Sequence, residues 1–191
     1  MPPELPNAPA TERNRDPILA VLREHFANRR HVLEVGSGTG QHVIEFARKS
    51  PHLLWWPTDY DERNIESIDA WRRHAHPQNV EAARKLDLCA MEWGLNEADS
   101  ATLSDLTAIF CANVLHISPW PTCPALMKGT ASHLASGGLL LLYGPFRIDG
   151  EPTAPSTKCT HNDGKGGSFT NRAARSEAPK GERAAVSSWA L

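Results

Sequence analysis

Long hydrophobic runs are missing from this 191-residue sequence: stretches such as Leu139–Tyr143 hold five apolar residues, against the roughly 20 that a membrane-spanning helix needs. No membrane partner is therefore expected. The Pro-rich opening, Met1 to Ala10, lacks the apolar stretch of a secretory signal. Cysteine is scarce, with four residues at 89, 111, 123 and 159 and no C-x-x-C spacing. That pattern argues against zinc ribbons and redox dithiols and favours a reducing, cytoplasmic setting over a disulfide framework. His52, His74 and His76 lack ligand-like neighbours and read as surface residues, so no metal site is expected. A basic excess is also absent: 20 Lys and Arg stand against 22 Asp and Glu, a net charge of -2. This balance excludes a dedicated nucleic-acid binder. Trp55, Trp56, Trp93 and Trp120 then read as core or pocket lining, because no basic stripe accompanies them as it would base-stacking platforms. No internal repeat is visible.

What remains is the composition of one globular α/β domain, 40% apolar and 22% charged. Residues 1–12 read as a flexible arm. Asp16-Pro17 predicts a helix start, with Asp16 as N-cap and Pro17 in the first turn; Ile18, Leu19, Val21, Leu22 and Phe26 form its apolar stripe. Strands are expected at His31–Val35, Leu53–Trp56, Val80–Leu86, Leu106–Val114 and Leu139–Tyr143. Helices are expected at Gln41–Lys49, Asp61–His74 and Thr122–Leu134. Strands alternating with helices imply a parallel sheet whose carboxyl ends share one edge. Residues 157–191 hold one Val, one Leu, one Phe and one Trp among many Gly, Ser, Lys and Arg. No strand or amphipathic helix is expected there, and the segment reads as a disordered, divergent tail behind a domain spanning 13–156.

The central signal is Val32-Leu33-Glu34-Val35-Gly36-Ser37-Gly38-Thr39-Gly40, a strand feeding a glycine turn that feeds a helix. Glycines at 36, 38 and 40 let the backbone pass close against a ligand. A dinucleotide fingerprint wants G-x-G-x-x-G, but its third glycine position is Gln41 here. Glu34 would sit badly beside a pyrophosphate and suits a ligand carrying an ammonium and a sulfonium. On charge, S-adenosyl-L-methionine fits better than NAD. Asp59 lies 19 residues after Gly40, where a carboxylate can accept hydrogen bonds from ribose hydroxyls. The neighbouring Asp61 is the alternative and reads more readily as a helix cap. Asp87, at the end of the third strand, can accept from an adenine amino group beside the Leu88 N–H. Glu34 also reads as a partly exposed strand-end charge, Asp59 as a plain helix or turn cap, and Asp87 as a turn residue. Their fall at successive strand ends favours the ligand.

These residues resemble class I methyltransferases. More narrowly, the chain is similar to a bacterial and animal branch that includes methyltransferase-like 26. The matching stretches are Glu12 to Ile18, Val32 to His42, Trp56 to Asp59, Ile109 to Trp120, Tyr143 to Phe146 and Thr153 to Ser156. The resemblance covers residues 10–156 and implies the Rossmann-like methyltransferase fold, with a mostly parallel sheet, and adenosylmethionine as cofactor. After Ser156 the tail departs from the family pattern, and the family's C-terminal strands are expected to be missing. The resemblance supplies no substrate; the acceptor expected is a small molecule. Asn113 and His116 follow the fourth strand, beside the expected methyl position. His116 is either a proton acceptor or a histidine hydrogen-bonded within its loop; Asn113 either orients an acceptor or caps the loop. Tyr143 is a candidate pocket wall, and Glu12-Arg13-Asn14 either folds over the cofactor or serves the start of the helix.

Overall fold

The computed structural model describes residues 5–95, 106–145, 147–148, 151–152 and 185–190. Five strands form a parallel sheet: β1 (His31–Val35), β2 (Leu54–Asp59), β3 (Arg84–Lys85), β4 (Ala108–Ala112) and β5 (Leu139–Gly144), in the order β3-β2-β1-β4-β5. Four helices accompany them: α1 (Pro9–His25), α2 (Gln41–Lys49), α3 (Glu62–Ala75) and α4 (Thr122–His133). Successive residues of a strand face opposite sides of a sheet, and the two cores follow that alternation. Val32, Trp55, Ala108, Phe110 and Leu141 pack with Ile18 and Leu22 of α1, Val43 and Phe46 of α2 and Ile68 of α3. Leu33, Val35, Trp56, Ile109 and Leu140 pack with Leu126 of α4 and with Leu86, Leu88 and Trp93. Register agrees: Leu33 pairs with Trp56 and Ile109, and Ile109 with Leu140. A parallel sheet apolar on both faces is buried on both faces.

The strand order fixes where a ligand can go. The chain runs outward from β1 through β2 to β3, then returns to β4 on the other side of β1. Such a switch point opens a crevice outside the carboxyl ends of β1 and β4. The glycine loop at residues 36–40 leaves β1 there.

Three expectations are corrected. The first helix starts at Pro9 rather than Asp16, and Pro17 lies inside it. Pro9 stands in the first turn, where the start rule puts a proline, and Pro17 does not. Pro17 is exposed, so the Arg13 carbonyl that loses its helical donor can turn to water. Residues 6–8 of the expected arm are hydrogen-bonded to α2 and α3. Secondly, the third strand shrinks to Arg84–Lys85, with only an isolated bridge from Val80 to Trp55. Trp55 exchanges hydrogen bonds with Asn79 and Glu81, so the next β2 residue facing β3 is Pro57, which has no N–H to give. There the ladder is interrupted, and the Ala83 N–H donates to the Asp69 side chain instead. Thirdly, the tail does contain a strand. Residues 147–148 (β6) pair with 151–152 (β7), and Ala185–Ala190 (β8) pairs antiparallel with β5. The segment average hid Val186 and Trp189, both strand formers, behind the Gly- and Lys-rich stretch before them. Residues 1–4, Phe146, Thr153 to Ser156, Cys159 and the rest of the expected tail lie outside the described residues.

β8 covers an edge of β5 that would otherwise present unpaired backbone groups. Ending the chain after residue 184 should lower the urea-unfolding free energy by about 1–3 kcal/mol, the scale of a few net hydrogen bonds. An unchanged unfolding midpoint would contradict the β5–β8 pairing.

Candidate functional site

The glycine loop needs its glycines for different reasons. Gly36, Gly38 and Gly40 have φ of 69°, 56° and 90°, the left-handed region that side chains disfavour. A Cβ on Gly36 would collide with Val114, which shows how closely the loop after β4 approaches. A Cβ on Gly40 would lie 2.7 Å from the Ile68 Cα of α3. Gly38 differs: nothing stands within 4 Å of its Cβ position. The middle of the loop therefore faces open space, while its two ends are jammed against the protein.

Beneath the loop lies Glu34, on the β1 face that also carries the Phe110 core. Its side chain is buried at 2% exposure, so the expectation of a partly exposed strand-end charge is not met. The Ser37 hydroxyl bonds its carboxyl, yet the Oε2 atom has no partner. Ser37 also accepts from the Thr58 N–H at 3.2 Å. Loss of hydration, reinforced by nearby Asp59 and opposed by Ser37, pushes the Glu34 carboxyl up to about 7. A buried acceptor left unpaired costs about 1–3 kcal/mol. An arriving cation would remove that cost.

Asp59, at the end of β2, braces the same loop. Its Oδ2 accepts from the Gly38 N–H at 2.9 Å. Its Oδ1 accepts from the Asp61 N–H at 3.0 Å and the Asn64 side-chain amide at 3.1 Å. A carboxylate offers about four acceptor sites, so roughly one remains, on Oδ2. Asp59 is thus a turn brace that retains acceptor capacity. Asp61 caps α3 through the Arg63 N–H, as expected. From α3, the Ser67 hydroxyl donates to the Thr39 carbonyl at 2.9 Å.

The other expected residues lie on the same edge. Asp87 follows β3, next to Asp59 through the Leu86 N–H to Asp59 carbonyl bond. It is exposed, and its Oδ1 accepts from the Cys89 N–H at 2.9 Å, a turn-forming bond. Leu88 is buried in the second core. Asn113 adopts φ 60°, unusual for a residue with a side chain, and its N–H donates to the Tyr143 carbonyl at 2.8 Å. Tyr143 is half-buried. His116 is exposed, and partial desolvation lowers its pKa. It makes no hydrogen bond among the described residues, so the expectation of a bonded loop histidine is not met there. Among the described residues no His, Cys, Asp or Glu cluster suits a metal, and no helix is long and apolar enough to cross a membrane. A groove between α1 and α2 lies apart from this edge, lined by Arg15, Leu19, Arg23, Glu45 and Lys49. Arg23 and Lys49 complement helix carboxyl ends there.

Several residues at this edge escape sequence reasoning. Tyr60, directly after Asp59, is 67% exposed; its place next to the strand-end acid is the one signal the sequence offers. Ser37 sits between two glycines and reads as filler until its hydroxyl is seen between Glu34 and Thr58. Gln41 stands where a dinucleotide fingerprint has its third glycine, yet its Oε1 accepts from the Ala8 N–H at 2.6 Å and from the Thr39 hydroxyl at 3.0 Å.

Five parallel strands in the order β3-β2-β1-β4-β5, with a glycine loop at the switch point, make the Rossmann-like fold of class I methyltransferases. The chain belongs to the family described as "Protein of unknown function (DUF938)", which matches residues 5–162. Solved structures share the fold. The S-adenosylmethionine-dependent methyltransferase SibL in its apo form superposes with a TM-score of 0.70 at 16% identity, covering 94% of this chain and 55% of that one. The PH0226 protein from Pyrococcus horikoshii OT3 gives 0.59 at 14% identity, over 72% of this chain and 59% of that one. Coclaurine N-methyltransferase, bound to N-methylheliamine and SAH, gives 0.53 at 18% identity, over 68% and 35%. The chain spans about half the length of the first of these, 55%.

The buried acid makes a prediction about stability. Its pKa stands near 7 in the folded chain against an ordinary 4.5. Between those values the folded state keeps a proton that the unfolded chain has released. Stability from this group is therefore complete below 4.5 and is lost as pH rises through 7. His42, lowered by burial from 6.5 to about 4, has the opposite slope, so variant and parent are best compared at each pH. Glu34→Gln should be the more stable protein at pH 8, by up to about 3 kcal/mol, with the gap closing towards pH 4. A variant less stable than the parent at pH 8 would refute the buried, half-partnered carboxyl.

Proposed function

We propose that this protein is an S-adenosylmethionine-dependent methyltransferase acting on a small-molecule acceptor, of the branch that includes methyltransferase-like 26. The observation that carries the reading is the unpartnered Glu34 oxygen buried under a glycine loop whose middle opens to space. A carboxyl in that position favours a ligand bearing an ammonium group and disfavours a pyrophosphate. Gly36, Gly38 and Gly40 give such a ligand close backbone approach, Glu34 offers a charge partner, and Asp59 offers a remaining acceptor site to a ribose hydroxyl. Asp87 and Leu88 stand beside Asp59, where an adenine ring would follow the ribose. When bound, the cofactor supplies a methyl group already activated on a sulfonium.

The protein's share of the chemistry is then to place the acceptor. Asn113, held in its left-handed conformation at the end of β4, presents an amide at the sheet's carboxyl edge. His116, whose pKa is lowered, stays neutral at pH 7 and can accept a proton from a hydroxyl or amine acceptor. A second reading, a non-catalytic adenosyl-binding protein acting through contacts with partners, is favoured by the family match ending at residue 162.

Calorimetric titration with adenosylmethionine, adenosylhomocysteine and NAD tests the reading. Binding of the adenosyl ligands is expected, and binding of NAD alone would overturn it. Methyl transfer to a component of a metabolite extract is expected; binding without transfer selects the second reading. Asp59→Ala should weaken adenosylhomocysteine by about 1–3 kcal/mol, and unchanged affinity would remove Asp59 from the site. Gly38→Ala should weaken the ligand while costing only about 1 kcal/mol of strain, whereas Gly40→Ala should chiefly destabilise the fold.

A further inference from the structure

The segment ahead of α1 and the first turns of α1 are tied to the glycine-loop region by a chain of polar contacts. The Trp71 ring N–H of α3 donates to the Pro6 carbonyl at 3.0 Å. The Gln41 Nε2 donates to the Asn7 Oδ1 at 2.9 Å, while the Gln41 Oε1 accepts from the Ala8 N–H. One turn along α1, the Asn14 Oδ1 lies 3.0 Å from the His42 Nε2. His42 is stacked on Phe46 at 5.0 Å and is also hydrogen-bonded to the Thr11 backbone.

Gln41 is the junction of two systems. The same oxygen that holds Ala8 also accepts from the hydroxyl of Thr39, a residue of the glycine loop. Thr39 is held on its other side by Ser67, and its neighbour Gly38 by Asp59. The loop is thus gripped from β2, from α3 and from the N-terminal segment. The first two grips come from the body of the fold. The third comes from a short, largely exposed segment attached by hydrogen bonds that are exposed at Pro6 and Asn7 and part-buried at Ala8 and Asn14, each of modest net strength.

We propose that Gln41 is a positioning residue that clasps the N-terminal segment to the glycine loop, so that ligand binding at the loop and docking of residues 6–14 reinforce each other. This rests on the cofactor reading above. Coupling of this kind is reciprocal: a segment that orders the loop tightens the ligand, and the ligand must tighten the segment by the same factor. The clasp uses both ends of one amide. Gln41→Ala removes all three of its side-chain bonds, whereas Gln41→Glu keeps the two that end on Oε1. The Asn7 amide can rotate to offer its N–H to the new carboxylate.

Hydrogen exchange of residues 5–15 in the full chain, with and without adenosylhomocysteine, tests this together with calorimetry. In the parent protein the ligand should slow exchange in that segment. Gln41→Ala should speed it without ligand and weaken adenosylhomocysteine about tenfold, a part of the net worth of the three bonds it loses. Its urea unfolding should remain cooperative with only a modestly lower midpoint, so that the affinity is read on a folded protein. Gln41→Glu should recover most of the affinity. Equal affinity in Gln41→Ala and parent, or exchange in residues 5–15 indifferent to ligand, would overturn the coupling while leaving the cofactor reading intact. A parent protein that binds no adenosylhomocysteine would overturn both.

Discussion

A carboxyl group sealed inside a sheet and given half of its hydrogen bonds is the constraint around which the rest of this edge is arranged. Glu34 lies one level below the glycine loop, between Pro57 and Phe110 in the register of the central strands. Apolar neighbours surround it on the Phe110 side, and Ser37 partners its carboxyl. An alanine or valine there would complete the apolar face at no electrostatic cost. The carboxyl instead raises the free energy of the ligand-free protein. Native structures tolerate such groups chiefly where binding or chemistry uses them.

The loop above is stiffened rather than loose. Asp59, Ser67 and Gln41 each hold one backbone or hydroxyl group of residues 38–39, and Val114 and Ile68 close the space beside Gly36 and Gly40. What stays open is the flank of Gly38. A site whose backbone is already fixed loses little further entropy on binding. The left-handed Asn113, tied to Tyr143, extends the same rigidity to the loop after β4.

Much of this was legible in the sequence because it follows local rules. The strand–glycine–helix run placed β1 and α2 almost to the residue, and Val43, Ile44, Phe46 and Ala47 are buried as their spacing requires. Asp61 was readable as a cap. What failed was set by distant partners. Pro57 interrupts β3 only because β3 lies on its donor side, and β8 forms only because β5 offers an edge. Pro9 begins α1 in a segment that Gln41, more than 30 residues away, holds in place. The burial of Glu34 was likewise beyond reach, since no local pattern tells an exposed strand-end charge from a buried one.

The most direct test of the account is to count protons exchanged on binding, by titrating adenosylhomocysteine calorimetrically near pH 7 in buffers of different ionisation heat. A Glu34 carboxyl partly protonated in the free protein should ionise as the ligand's ammonium arrives, releasing a proton fraction that vanishes in a Glu34→Gln protein. Binding with no proton exchange, or with the same exchange in both proteins, would show that Glu34 does not receive the ligand's charge.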